Sequence, residues 1–523
     1  MKRKIIYGFA AILSVLIFFS SGCTKDLEEI NTNPNDPGIS QAAPNMLLTN
    51  AIESMTDRVH EIFLGHEMGS CWVQHMAKVQ YPDEDRYVPR ISVINNTWTS
   101  FYASSGYDVQ TILNIAEASG NDSYKAVGLI LKSYIVSVLT DEFGDVPYTE
   151  AWMGSGETSI LSPVYDTQES IYAALLINLT TANELLTDDS PDIEGDILFG
   201  NDLTMWKKFA NSLRLRLLMR RSDRVDPTAD MTAIVSDPVT YPIFEGIEDN
   251  AALAYLGSAP NNHPINENRK TRDDHRVSKT LVDYMYTNAN IDYDYRIFAY
   301  AEPASGPNDF VGLPNGMTSS AAAAYNGNGI ANTSEIGSYF SSATAPGMLM
   351  SYPELQFILA EAAARGFLSG TPDLVTAETY YTEGVTSSTM TYAKEIAAGI
   401  GNFYGYPEDF FMSGTGDPGT DPLIWFLEGD GAFDSANALE QIATQKWVAL
   451  FDQGLQAAFE WRRTGFPVLT PAIAGKNDGK IPVRAYYPSD EAGRNPTNLA
   501  AAIANQGPND LNTRVWWDIK DNY

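Results

Sequence analysis

Residues 442–469 read IATQKWVALFDQGLQAAFEWRRTGFPVL, and their apolar members do not line up as one stripe. Ile442, Trp447, Val448, Leu450, Phe451, Leu455, Phe459 and Trp461 point to most sides of a 3.6-residue period, so a helix here must be wrapped by other helices. The stop is legible too. Arg462 and Arg463 suit the carbonyl end of a helix dipole, Gly465 can take a left-handed cap, and Pro467 prevents continuation.

The same periodicity predicts helices over 44–75, 93–119, 123–143, 167–186, 203–222, 277–286, 353–368, 374–396 and 436–463, with few strand signals. The expected fold class is therefore mainly α. Neighbouring segments pair: in 353–368 and 374–390, Ala360, Ala363, Gly366 and Ala377 can seat the aromatics Tyr380 and Tyr381. Tetratricopeptide-like pairs stack in this way, although no fixed period of ~34 residues survives. Helix 203–222 carries Lys207, Lys208, Arg214, Arg216, Arg220 and Arg221, read as a solvated basic face behind a core-facing stripe. Between the helices lie long stretches, about 226–275, 300–350 and 399–433, rich in Gly, Pro, Asn and Ser. They carry Tyr325, Tyr339, Phe340, Tyr404, Tyr406, Phe410, Phe411, Trp425 and Phe426, too many aromatics for a disordered segment.

The first residues set a compartment. Lys2, Arg3 and Lys4 precede an uncharged apolar run that ends Ser20-Ser21-Gly22-Cys23, the pattern of a signal peptide with a lipobox. Residues 1–22 are the expected signal peptide, Cys23 the lipid attachment site, and 23–40 a tether. A retained anchor helix would not need a Cys after Ser-Ser-Gly, and acyl chains hold a protein at roughly 0.8 kcal/mol per buried methylene. With Cys23 lipidated, Cys71 has no intramolecular partner and reads as a small buried residue. Length alone suggests about three domains. A net charge of −32 repels nucleic acid and anionic lipid, so neither is an expected partner.

QKWVALF followed by EWRRTGFP resembles the C-terminal signature helix of the SusD/RagB family of nutrient-binding outer-membrane lipoproteins. LTDEFGDVPYTEAW (139–152), PELQFILAEAAARG (353–366) and the closing segment 481–518 resemble further parts of it in order, the last in the SusD-like, starch-binding subfamily. One departure is visible: Gln456, Ala457 and Ala458 stand where the family often has Glu-Ala-Trp, with the aromatic moved to Phe459. The resemblance implies one composite body over 41–523, a scaffold of tetratricopeptide-like helical pairs with the long loops as a second lobe. It also implies a place on the outer membrane, no enzymatic activity, and delivery of a nutrient to a SusC-like TonB-dependent transporter. The acidic run after Cys23 resembles the export signal that puts such lipoproteins on the cell surface.

Five His are scattered, and no HExxH, GxSxG, GxGxxG, P-loop or CxxC occurs. Asn290, Asp292 and Asp294 mimic the start of a calcium loop, but Tyr295 stands where its Gly belongs, so an Asx-rich turn is expected. Asp417, Asp421, Glu428, Asp430 and Asp434 could hold a cation, yet nothing requires a cofactor or a metal. Sugar capture needs a flat aromatic with carboxylate, amide or guanidinium groups beside it. Gln80, Tyr81, Asp83, Asp85, Arg86 and Tyr87 supply all of these within one short loop, with solvation of that loop as the alternative. Tyr404, Tyr406 and Trp425 are the next candidates, while Trp98, Tyr102 and the pair Trp516-Trp517 read as structural. An oligosaccharide is the expected ligand. A peptide is the alternative, and a surface glycoside hydrolase built on two carboxylates is a third reading.

Overall fold

The computed structural model describes residues 43–154, 159–286, 293–404 and 421–521. Its principal helices are α1 (Pro44–His60), α2 (Ile91–Ser100), α3 (Gly106–Ser119), α4 (Asp122–Phe143), α5 (Gln168–Leu185), α6 (Leu203–Arg220), α7 (Tyr352–Arg365), α8 (Leu374–Thr391), α9 (Ala393–Tyr404), α10 (Ala438–Ala449), α11 (Gly454–Thr464) and α12 (Pro496–Gln506). Five of them start on a side-chain cap that satisfies amides the first turn leaves open. Asn121 accepts from Tyr124, Thr167 from Ser170, Asp202 from Thr204 and Met205, Ser351 from Glu354, and Asp373 from Val375 and Thr376. Gly366, at φ +84°, closes α7 in the left-handed conformation.

Consecutive helices pack on one another, α3 on α4, α4 on α5, α5 on α6 and α7 on α8, while α7 also meets α6 and α10. The array is thus mainly α, as expected. Among the described residues the sheets are two antiparallel pairs. β1 (Met76–Lys78) joins β3 (His275–Val277) with Ala77 opposite Arg276, and β2 (Ala251–Leu253) joins β4 (Gly347–Met350) with Ala251 opposite Met350. Each pair ties a loop segment to the helical body. Trp206, Trp447, Trp461 and Trp517 are among the largest fully buried side chains, and Cys71 is buried and free.

Several expectations are corrected. The helix expected over 436–463 is two helices, because the chain leaves helical geometry at Leu450–Gln453 and restarts at Gly454. Apolar residues on all sides of one window therefore belong to two helices. The segment after α1 is a π-helix (Ile62–Ser70), and another π turn (Phe101–Ser105) interrupts the helix expected over 93–119. The stretch 399–433 is not all loop: α9 reaches Tyr404 and a short helix covers Pro422–Glu428.

The restart at Gly454 exists because two backbones touch. A Cβ there would stand 2.2 Å from the Gly65 carbonyl oxygen and 2.4 Å from Ser70 Oγ, and one on Gly69 would stand 2.6 Å from the Gly454 carbonyl carbon. Gly454→Ala is therefore expected to destabilise the protein by about 1–3 kcal/mol. Gly493→Ala, whose new Cβ would meet nothing within 4 Å, should stay within about 0.5 kcal/mol of the parent. Denaturant melts of the two variants side by side check this.

The basic helix is the largest correction. Arg216 and Arg220 on α6 are buried, not solvated, and each meets carboxylates from other helices. Arg216 is 2.6 Å from Glu354 of α7, while Arg220 is 3.0 Å from Asp141 of α4 and 2.9 Å from Glu460 of α11. Glu460 also pairs with Lys446 at 2.9 Å and Arg463 at 2.8 Å, and Arg463 pairs with Glu361 at 2.5 Å. Arg220 takes a further bond from its guanidinium to Gln456 at 3.1 Å, so the departure at that position still joins the network. Buried cations survive only when paired and hydrogen-bonded.

Candidate ligand-binding site

The loop 80–87 divides into an outer and an inner set. Tyr81 is 59 % exposed, and the Arg272 guanidinium lies 4.9 Å from its ring centre. Asp83 is exposed, and half-buried Arg86 donates from Nε to the Ala474 carbonyl at 3.0 Å. Gln80 is half-buried beside them. Asp85 and Tyr87 are buried beneath. The Asp85 carboxylate accepts from Asn315 Nδ2 and the Gly316 amide, both at 2.7 Å, while burial pushes its pKa up to about 6. The Tyr87 hydroxyl accepts from the Ala472 amide at 2.8 Å. Those two residues brace the loop, and Tyr81 with Asp83 and Arg86 forms its outer face.

A larger aromatic wall lies where α2 meets α3 and the segment after α4. A cavity of ≈630 Å³ is lined by Trp98, Tyr102, Tyr107 and Trp152, with Glu491 and Arg494 among its polar neighbours. Its size suits a small oligomer. Trp98 and Tyr102, expected as core, sit 4.8 Å apart, and the Tyr102 and Trp152 rings 5.5 Å apart. Trp98 is 8 % exposed, so the expectation of low exposure holds even though the ring walls a cavity.

The polar tips of these rings are tied inward. Tyr102 donates to the Pro147 carbonyl at 2.7 Å, and Trp152 Nε1 donates to the Tyr102 carbonyl at 2.8 Å. Burial, then the nearby Glu491 charge, holds the Tyr102 hydroxyl well above its usual range, so it remains a neutral donor. Trp152 sits at φ +62°, a left-handed conformation that a bulky residue rarely adopts. Such strain persists where the surroundings over-determine it, commonly at ligand clamps. Tyr165 donates to Glu491 at 2.6 Å, fixing one carboxylate at the rim, and Glu150 accepts from the Val164 amide at 2.8 Å. Flat rings with carboxylate and guanidinium groups at the edge are the donor set that pyranose hydroxyls and their apolar faces require.

The remaining candidates lie elsewhere. Tyr404 is 46 % exposed, its hydroxyl 2.5 Å from that of Tyr293, and Trp425 lies 6.2 Å from the Tyr295 ring. Both belong to an aromatic cluster beside a second cavity of ≈300 Å³ lined by Tyr284, Tyr286, Tyr293 and Asp430. Tyr406, Asp417, Asn290, Asp292 and Cys23 fall outside the described residues. Asp294 pairs with Arg296 at 2.5 Å, and Asp421 and Asp434 serve as caps for the amides of Leu423 and Ala436. Sequence reasoning missed Tyr107, Trp152, Glu150, Glu491 and Arg494. Trp152 closes the segment 139–152 already singled out, which was the one available signal.

The helical array is shared with known proteins. Residues 34–488 match the family of starch-binding proteins associating with outer membrane, so the chain belongs to the SusD-like family. A solved chitin-binding protein shares 26 % identity over 91 % of this chain and 100 % of its own, with a TM-score of 0.76. A SusD homologue from Bacteroides fragilis (24 %, 92 % and 100 %, 0.70) and a chitin-binding SusD homologue from Flavobacterium johnsoniae (23 %, 92 % and 99 %, 0.70) share the fold. No curated protein matches the chain. Among the described residues no helix is long and apolar enough to cross a membrane, and the family is outer-membrane associated.

Proposed function

We propose that this chain captures an oligosaccharide at the cell surface, in the cavity walled by Trp98, Tyr102, Tyr107 and Trp152, and delivers it to a SusC-like TonB-dependent transporter. It acts as a binder and not as an enzyme. The observation that carries the reading is the strained, pre-set Trp152 facing Tyr102 in a cavity of oligosaccharide size. The 26 % identical chitin-binding relative supports β-linked N-acetylglucosamine oligomers as the ligand class. Residues 1–22 serve as signal peptide, Cys23 carries the lipid, 23–40 is the tether and 41–523 the body. Tyr81, Asp83 and Arg86 contribute an outer contact to longer ligands, and Tyr404, Tyr406 and Trp425 are the candidates for a separate contact.

Stacking contacts and exposed hydrogen bonds gain little over water, so affinity should be roughly micromolar to millimolar. Calorimetric titration with N-acetylglucosamine oligomers, cello-oligomers and oligopeptides, followed by chromatography of each ligand, tests the reading. An intact glycan bound at that strength supports it. A signal with peptides alone, or a shortened glycan, sinks it. Tyr81→Ala should weaken a long oligomer less than about tenfold, since an outer aromatic contact contributes about 0.5–1.5 kcal/mol. A trisaccharide titrated against the same variant should show no change.

A further inference from the structure

His60 at the end of α1, His263 just before the short helix Pro264–Arg269, and Asp452 in the turn between α10 and α11 each offer one ligand atom, and these atoms lie within 4.8 Å of one another. The three are 2 %, 0 % and 8 % exposed, and none of them lines the aromatic cavity. Two of the donors have no use within the protein. His263 Nε2 and Asp452 Oδ1 are buried without a hydrogen-bond partner, an arrangement folded proteins avoid unless something else satisfies the atoms. His60 is oriented: its Nε2 lies 3.0 Å from the Met348 carbonyl, which makes Nε2–H the donor and leaves the Nδ1 lone pair free. Metal-bound histidines are commonly held by such a second hydrogen bond.

We propose that His60, His263 and Asp452 form a structural zinc site that pins α1, the loop ahead of Pro264–Arg269 and the α10–α11 turn together. Two imidazoles and one carboxylate suit zinc, whereas calcium and magnesium take oxygen-rich sets. Three protein ligands leave the fourth position of a tetrahedral ion to a water. There is a cost. His263 Nδ1 accepts from the Ile265 amide at 3.2 Å, and coordination through Nε2 moves the ring proton to Nδ1 and gives that contact up. In exchange the ion satisfies Nε2 and Oδ1 at once. The Tyr255 ring, 5.0 Å from His263, packs beside the site, and its hydroxyl is turned away to Asp57 at 2.6 Å.

The full chain, stripped with chelator, reloaded with zinc and dialysed, should retain one equivalent of zinc by elemental analysis and melt at a higher temperature with zinc than without. Asp452→Asn and His263→Gln should each weaken zinc by at least about 100-fold in competition with a chromophoric chelator, with helical circular dichroism unchanged. Zinc that binds equally well to both variants, or no retained zinc at all, would overturn the proposal. Should either variant unfold, cobalt substituted into the parent chain decides. Visible bands of a four-coordinate site with nitrogen ligands support the assignment, and a six-coordinate, oxygen-only spectrum refutes it.

Discussion

Glu460→Gln is expected to lower the unfolding free energy by about 3–5 kcal/mol, because it leaves buried cations facing a neutral amide. Burial alone pushes the Glu460 carboxyl up, but Arg463, Lys446 and Arg220 pull it well below the usual carboxylate range. Glu361 behaves likewise beside Arg463 and Arg365. A lowered carboxyl contributes stability that is present above about pH 4.5 and is lost as pH falls through its folded pKa. Other buried carboxyls act in the opposite sense. Burial raises Glu142 to about 7, and Asp85 and Asp518 to about 6 each. Each keeps in the folded chain a proton that the unfolded chain has released, so stability falls as pH climbs from about 4.5 to about 7. Buried His60, lowered to about 4, and His75, lowered to about 3, act against these carboxyls, because each stays neutral in the folded chain while the unfolded imidazole takes up a proton below about pH 6.5. The carboxyl contribution is therefore read as a difference: Glu142→Gln should lose less stability than the parent as pH climbs from about 5 to about 7. Melting curves from pH 3 to 8 check the profile. An identical pH profile in Glu142→Gln and the parent would contradict the assignment of that group.

The network also shows where reading the sequence stops. Caps such as Asn121, Thr167, Asp202, Ser351 and Asp373 act within a few residues of themselves, so the starts of their helices were legible to within a turn, although the helix from Leu374 ends at Thr391 and not at 396. Arg216 and Arg220 were not legible as buried, because the carboxylates that permit it come from α4, α7 and α11. The break before Gly454 depends on Gly65, Gly69 and Ser70, far away in the chain. The same holds for the loop 80–87. Its composition pointed to surface chemistry, which Tyr81 and Asp83 retain, but Asn315, Gly316 and Ala472 draw Asp85 and Tyr87 inward. Low exposure made Trp98 indistinguishable from core until the cavity in front of it was seen.

Trp152→Ala should have the largest effect on glycan capture, a loss of about 30-fold or more in affinity, which is about 2 kcal/mol. The indole forms a wall of the cavity, and its Nε1 bond to the Tyr102 carbonyl fixes the ring before any ligand arrives. A pre-set ring avoids ordering a side chain on binding, so removing it sacrifices both stacking area and preorganisation. The variant should not be less stable in proportion. Trp152 holds φ +62°, which Ala tolerates no better, but the side chain is only half-buried, and Lys132 over its ring at 5.1 Å also lies 5.1 Å from the Tyr148 ring. Trp152→Phe separates the two contributions. It keeps a flat face and loses the indole N–H, so a ring that needs the Tyr102 carbonyl to be held should bind several-fold more weakly with a less favourable entropy. Titration of the parent and both variants with one N-acetylglucosamine oligomer measures this. Unchanged affinity in Trp152→Ala would move the ligand out of this cavity, toward Tyr284, Tyr286 and Tyr293, whose cavity is the next test.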